Sequence, residues 1–318
     1  MKISEALARP CGRLAFYHDN CADGTTSAAV MLLNDINTIC VPVNYGSGLL
    51  EKIKNNIEKY NSREIFFVDF GPDIESCNYL NTLKNIKIVI IDHHKTFAEK
   101  IKQTELIKEN FDINACFRYS DKNFTFVYDP NECGSTLTYK TLFYNDNQPV
   151  LLKYIKDRDL WLNKYQPETE YISNIMFSKY IDDPKSVIEM LRFYSEKDFD
   201  TVINNGKIIT DYKNSIINKT IRQWNKKYFF MINDIKIPAI NSNIFQSEIG
   251  NIISQEFGIC CIYTIDIFNN KVLLSFRSIN NTSRTTAELL GGGGHDNAAG
   301  ASIDIKEFNK IKKIIIKE

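Results

Sequence analysis

Through the first half of the chain, short runs of apolar and β-branched residues alternate with amphipathic stretches. Arg13 to His18 predicts a strand, and Thr25 to Asn34 a helix that opens just after Asp23-Gly24. The alternation continues with a strand at Thr38 to Val43, a helix at Leu49 to Tyr60, a strand at Glu64 to Asp69, a helix from Asp73 and a strand at Lys87 to Ile91. Runs such as Ile-Phe-Phe-Val and Ile-Val-Ile-Ile are apolar at every position, as strands covered on both faces must be. Strand and helix repeated at this spacing imply right-handed crossovers and a mostly parallel, doubly wound α/β sheet.

After Asp129-Pro130 the pattern becomes helical, with short helices expected at Ser135 to Phe143 and Pro149 to Ile155. A polar-faced helical stretch from Pro184 to Trp224 carries few turn signals and is expected to connect two domains. From Tyr228 the chain turns β-rich again. Strands are expected at Tyr228 to Ile232, Ile235 to Ile240, Ile259 to Asp266 and Val272 to Arg277, with a helix at Gln246 to Phe257. The expected division is a catalytic α/β domain over 1–165, a helical connector over 166–227 and a smaller α/β domain over 228–318.

Composition narrows the class. The 318 residues, 43% hydrophobic and 25% charged, suffice for one large or two medium cores and exclude disorder as the main state. Lys plus Arg and Asp plus Glu both number 39, so the chain lacks the basic excess of a protein that coats duplexes. Eight scattered cysteines form no Cys-x-x-Cys pair, which argues against a zinc ribbon or a disulfide framework. Met1 to Cys11 has no apolar core of a signal peptide, and no later run reaches the roughly 18 apolar residues of a membrane span. A reducing cytosol is the expected compartment.

The chemistry-capable residues fall at strand ends. In an open parallel sheet, ligands bind outside the carboxyl ends of the strands. One predicted strand ends at Tyr17-His18 and runs into Asp19-Asn20-Cys21-Ala22-Asp23-Gly24, another ends at Val68-Asp69, and a third at Ile91-Asp92-His93-His94. With Asp157 or Asp159 added from Lys156-Asp157-Arg158-Asp159, these groups converge on one sheet edge as a carboxylate–imidazole cluster. An Asp after a strand is often only a helix cap. Three such sites on one edge, one of them Asp-His-His, are poorly explained by capping. Oxygen and nitrogen donors without paired thiolates suit Mn, Fe, Mg or Zn, and carboxylates gathered in one cleft would repel unless a divalent ion relieved them. Two ions sharing a carboxylate would clamp a phosphate and acidify a water, which makes phosphoester or phosphoanhydride hydrolysis the natural chemistry.

The run Gly291-Gly292-Gly293-Gly294-His295, followed by Asn297 and Ala298-Ala299-Gly300, reads either as a turn or as backbone that must approach an anion closely. Arg277-Ser278 offers a guanidinium and a hydroxyl beside it. Gly46-Ser47-Gly48 has neither the lysine nor the spacing of a P-loop and is read as a loop.

His18 to Asp23, Val68-Asp69, Asp92-His93-His94, Asp157 and the Gly291 to Gly300 segment together resemble the DHH phosphoesterase superfamily with its DHH-associated C-terminal domain, in the right order and over nearly the whole chain. The first motif is most similar to a short, oligoribonuclease-like branch. The resemblance implies that His18 binds one metal, that Asp69 bridges two, and that Asp23, His93 and Asp157 complete the second. It implies that His94 faces the scissile phosphate, with Asp92 orienting the imidazoles, and that Arg277, Ser278, His295, Asn297 and the backbone of Gly292, Gly293 and Gly294 hold another phosphate or terminal nucleotide across an interdomain cleft. Cys21 stands where many members carry an aspartate, and it is either a softer metal ligand or a packed small residue. Asp157 is preferred over Asp159 as the fourth-motif ligand.

The expected cofactor is two divalent ions, manganese foremost, with Mg2+, Fe2+ or Zn2+ as alternatives. The expected substrate is a short single-stranded oligonucleotide or small nucleotide, since long-strand exonucleases of the superfamily add modules for which 318 residues leave no room. A cyclic dinucleotide phosphodiesterase, a 3',5'-bisphosphate nucleotidase and a nucleotide-binding sensor with an impaired metal site are the rivals. Oligomeric state, including a homodimer, stays open.

Overall fold

A computed structural model describes residues 12–144 and 147–314; the reading of Met1–Cys11 lies outside them. The chain forms two compact units, residues 1–210 and 211–318. The first opens with β1 (Arg13–His18), α1 (Ala22–Asn34), β2 (Ile39–Val43), α2 (Leu49–Tyr60), β3 (Glu64–Val68), α3 (Ile74–Thr82) and β4 (Lys87–Asp92). These strands lie parallel, and a hairpin of β5 (Phe117–Ser120) and β6 (Phe124–Tyr128) follows a helix α4 (Lys95–Ile101) to complete the order β2-β1-β3-β4-β6-β5.

Both faces of this sheet are dry. Leu14, Phe16, Ile65, Phe67, Ile88 and Ile90 pack with α2, α3 and α4 on one side. Ala15, Tyr17, Phe66, Val68, Val89 and Ile91 pack with α1 and with Leu137 of α5 (Gly134–Phe143) on the other. The chain leaves β1 in one direction for β2 and returns on the other side for β3, so the order reverses between β1 and β3. That switch point is where an open α/β sheet leaves a crevice at its carboxyl edge.

A helical layer completes the first unit: α6 (Val150–Asp159), α7 (Glu168–Ile175), a π turn (Met176–Tyr180), α8 (Pro184–Val187), a 3-10 turn (Met190–Arg192) and the start of α9 (Glu196–Trp224). Ile172, Ile175, Met176, Val187, Leu191 and Phe199 share one buried core with Ala29 and Val30 of α1. The segment expected as a connector groups, up to residue 210, with the first unit, and the helical stretch expected from Pro184 is broken over residues 190–193 before α9 begins.

The second unit contains β7 (Tyr228–Ile232), β8 (Ile235–Asn241), α10 (Gln246–Phe257), β9 (Ile259–Asp266), β10 (Lys271–Ser278), α11 (Ser283–Glu288), β11 (Gly293–His295), β12 (Ala298–Asp304), α12 (Ile305–Ile311) and β13 (Lys312–Ile314). Its sheet has the order β11-β12-β10-β9-β8-β7-β13 and is antiparallel except between β8 and β9. No helix among the described residues is long and apolar enough to cross a membrane.

Candidate active site

Strand register assembles the cluster. Tyr17 pairs with Val68 and Val68 with Ile91, so the next residues on each strand, His18, Asp69 and Asp92, stand in one row at the switch point. Asp69 leaves β3 with φ +53°, an unfavourable backbone for a residue with a side chain, while its N–H still donates to Ile91 O at 3.0 Å. The kink turns a carboxylate that is 1% exposed along the sheet edge.

The two oxygens of Asp69 face different donors. Oδ1 lies 3.2 Å from His93 Nε2. Oδ2 lies 3.6 Å from Cys21 Sγ and 4.0 Å from His18 Nδ1. Around His93 Nε2 stand two further carboxylates, Asp159 Oδ2 at 3.5 Å and Asp23 Oδ2 at 3.9 Å. The donor atoms form three groups: His18–Cys21–Asp69 and Asp23–His93–Asp159 share no residue, and Asp69–Asp92–His93–His94 joins them through Asp69 and His93.

Asp23 is held from a distance in sequence. Its oxygens accept hydrogen bonds from the backbone N–H groups of Gly134 and Ser135, the free donors at the start of α5. Gly134 has to be glycine, because a Cβ there would come within 2.4 Å of the Asp69 Cβ. The start of α5 thus sets the spacing of two acids, a contribution that none of the sequence motifs includes; the Gly134-Ser135 pair opening a helix is the signal that could have found it.

Asp92 Oδ1 accepts from His94 Nδ1 at 2.7 Å, fixing that imidazole, and from the backbone N–H of His93 at 2.8 Å, leaving His94 Nε2 without a role in that contact. Burial lowers the affinity of His94 for its proton, but the hydrogen bond and charge of Asp92, with the charge of Asp69, outweigh it and raise its pKa to about 9. Burial, with Asp23 alongside, pushes Asp69 well above the carboxylate range and lifts Asp159 to about 6. Burial, reinforced by Asp69 and Asp23, likewise raises the Cys21 thiol.

The two candidate aspartates at the end of α6 lie in different surroundings. Asp157 is 1% exposed and its carboxylate accepts from Lys164 N at 2.7 Å, Tyr165 N at 3.3 Å and Thr169 Oγ1 at 2.6 Å, closing the loop after α6. Asp159, two residues on, carries the carboxylate that reaches His93.

The cluster fits a divalent cation on its own geometry. Asp69 Oδ1, Asp92 Oδ2, His93 Nε2 and Asp159 Oδ2 are buried without a hydrogen-bond partner, four of the seven such atoms among the described residues. Buried polar atoms are seldom left so, and oxygen and nitrogen donors of this kind suit Mn, Fe, Mg or Zn.

In the second unit, the glycine run is a hairpin rather than an open loop: β11 pairs with β12 through Gly293–Gly300, Gly294–Ala299 and His295–Ala298. Gly294 has φ +141°, and a Cβ at Gly292 would meet Gly300 O at 2.1 Å, so close strand packing already requires those glycines. Arg277 and His295 both pair with Ala298, from opposite sides of β12, and so lie in one row on the face that carries α10. The Arg277 guanidinium donates to Ser275 Oγ, Phe276 O and Ser247 Oγ. Ser278 is not free for a ligand: its hydroxyl accepts from Thr282 N, Ser283 N and Ser283 Oγ and donates to Asp296 O. Asn297 Oδ1 accepts from Asn281 N at 3.0 Å. Both expected contacts are turn scaffolding.

No family model matches the chain. It is 24% identical over 307 residues to uncharacterized protein R106 of Acanthamoeba polyphaga mimivirus, covering 90% of this chain and 66% of that protein's length. It is similar in structure to a pGpG-specific phosphodiesterase, PggH, from Vibrio cholerae, at a TM-score of 0.49 and 10% identity over 94% of this chain and 95% of that one. It is also similar to exonuclease RecJ bound to manganese, at a TM-score of 0.46 and 13% identity over 94% of this chain and 88% of that one.

Proposed function

We propose that the protein is a divalent-metal-dependent phosphoesterase of the DHH type that hydrolyses short oligonucleotides or small nucleotides. The observation that carries this reading is Asp69, a buried carboxylate whose two oxygens address two separate donor sets at the sheet switch point. His18, Cys21 and Asp69 would hold one ion, and Asp69, Asp23, His93 and Asp159 the other. Bound there, divalent ions would polarise the phosphate and lower the pKa of a water.

The chain's own groups supply position and charge. Asp92 keeps the His94 ring fixed through Nδ1, which leaves Nε2 to face the phosphate oxygen on which charge develops. The α5 N–H groups of Gly134 and Ser135 hold Asp23 in place. In the second unit, taken by itself, Arg277 and His295 share a row on one sheet face and would meet an anionic group, with the β11–β12 turn presenting backbone N–H groups.

The test is purified protein with Mn2+ and labelled di- to pentanucleotides, beside Asp69→Ala. Release of mononucleotide by the native chain alone is expected. No release from any of these with metal bound would falsify the oligonucleotide version. Cyclic dinucleotides and 3',5'-bisphosphate nucleotides in the same panel separate the remaining substrates of the class.

A further inference from the structure

Next to the acid–imidazole cluster, wholly within the first unit, lies a cavity of about 360 Å³, within the size range of small-molecule sites. One end is formed by Asp23 and Asp159 of the cluster. The other is mostly apolar, framed by Tyr154, Trp161 and Phe177, with Asn20 and Ser173 as polar groups in the lining.

Its aromatic members are placed at a cost to local structure. Trp161 is 68% exposed and has φ +53°, in the turn that follows α6, although bulky residues avoid the left-handed region. Phe177 is 55% exposed and sits on the π turn, a form concentrated at functional positions. The Arg158 guanidinium lies 4.6 Å from the centre of the Trp161 ring, holding it as a flat platform. Core packing explains none of this, because neither ring is buried.

We propose that this cavity is a nucleobase site, in which the base of a nucleotide whose phosphate lies at the cluster stacks on Trp161, with Phe177 and Tyr154 bounding it. The inference rests on the phosphoesterase reading for its choice of ligand. A planar base matches an aromatic wall directly beside acids suited to a metal-bound phosphate. Stacking on an aromatic face tolerates every base, so the site selects nucleotides over base-free phosphates without selecting sequence.

The full chain has two tryptophans, and the other, Trp224, is 5% exposed, so emission responsive to added ligand reports on Trp161. AMP should quench that emission saturably where ribose 5-phosphate does not, and Trp161→Ala should remove the quench. The ratio of kcat/KM for a dinucleotide over its abasic counterpart should fall about tenfold in Trp161→Ala and recover in Trp161→Phe. No quench by AMP, or an unchanged ratio in Trp161→Ala, overturns the base site. Turnover without either effect leaves the phosphoesterase standing and removes the pocket. Quench through Trp161 without turnover of any substrate upholds the pocket and removes the phosphoesterase.

Discussion

The two units treat buried polar groups in opposite ways. In the second, the buried Ser278 has its hydrogen bonds made within the fold, and no buried side-chain polar atom among its described residues lacks a partner. In the first, four atoms at one sheet edge go without, and carboxylates crowd one another around His93. The hydroxyls of Ser27, Thr38 and Ser76 also lack partners, but at this edge the unpartnered atoms are carboxylate oxygens and an imidazole nitrogen gathered together, the donor types that a cation would complete. The open edge is where the proposed reading puts its cations, and the Ser278 network holds a turn together.

The sharpest way to break that contrast is Asp69→Asn. If the edge is built for cations, activity with Mn2+ should fall by about 10²–10³, and calorimetric titration should show metal binding lost. In chelator the same variant should melt at or above the native temperature, since burial and Asp23 already disfavour its charge. Native-like turnover, or a large loss of stability in chelator, would recast Asp69 as structural.

Next comes the pair Asp157 and Asp159, which divides the two kinds of group within a single helix end. Asp159→Ala should weaken metal affinity by at least about 10–100-fold while leaving the melting temperature in chelator close to native. Asp157→Ala should leave metal bound and lower the melting temperature, because Lys164 N, Tyr165 N and Thr169 Oγ1 lose their acceptor. The reverse pattern would restore Asp157 as the ligand.

That pair also marks where the sequence stops being legible. Strands β1 to β4 were readable to within a residue because continuous apolar runs flanked by helical periods leave little freedom, and their register then delivers His18, Asp69 and Asp92 to one row, whereas β5 and β6 were not anticipated. Positions 157 and 159 differ by about 200° around a helix, and choosing between them requires knowing which side of α6 faces the sheet. The glycine run was ambiguous for a related reason: its pairing partner, β12, is a strand of small residues, Ala298-Ala299-Gly300, without the bulk that announces one. Trp161 and Phe177 carry no motif at all, and only the α6–α7 packing brings them together at the cavity.

Ser278→Ala probes the closed network. Removing the hydroxyl leaves the Thr282 and Ser283 N–H groups short of an acceptor, a loss of about 1–3 kcal/mol for buried donors. Chemical denaturation should show that loss, with KM for a dinucleotide little changed. A rise in KM at native stability would instead make Ser278 a substrate contact.

The smallest effect is the dependence of the open edge on pH. Asp159 has its pKa raised to about 6 in the metal-free chain by burial and by Asp23, and Asp69 is also raised, by burial and by Asp23. A carboxylate must lose its proton to hold a cation, so protons compete at any pH below the raised value. Apparent Mn2+ affinity should therefore be weaker at pH 5 than at pH 7, by up to about tenfold per pH unit for each proton displaced. In Asp159→Asn the dependence should become shallower by that residue's share, while the overall affinity falls. A flat profile in the native chain would mean that these carboxylates are already ionised before metal arrives, held so by groups other than those facing them, and the open edge would then be less strained than its geometry implies.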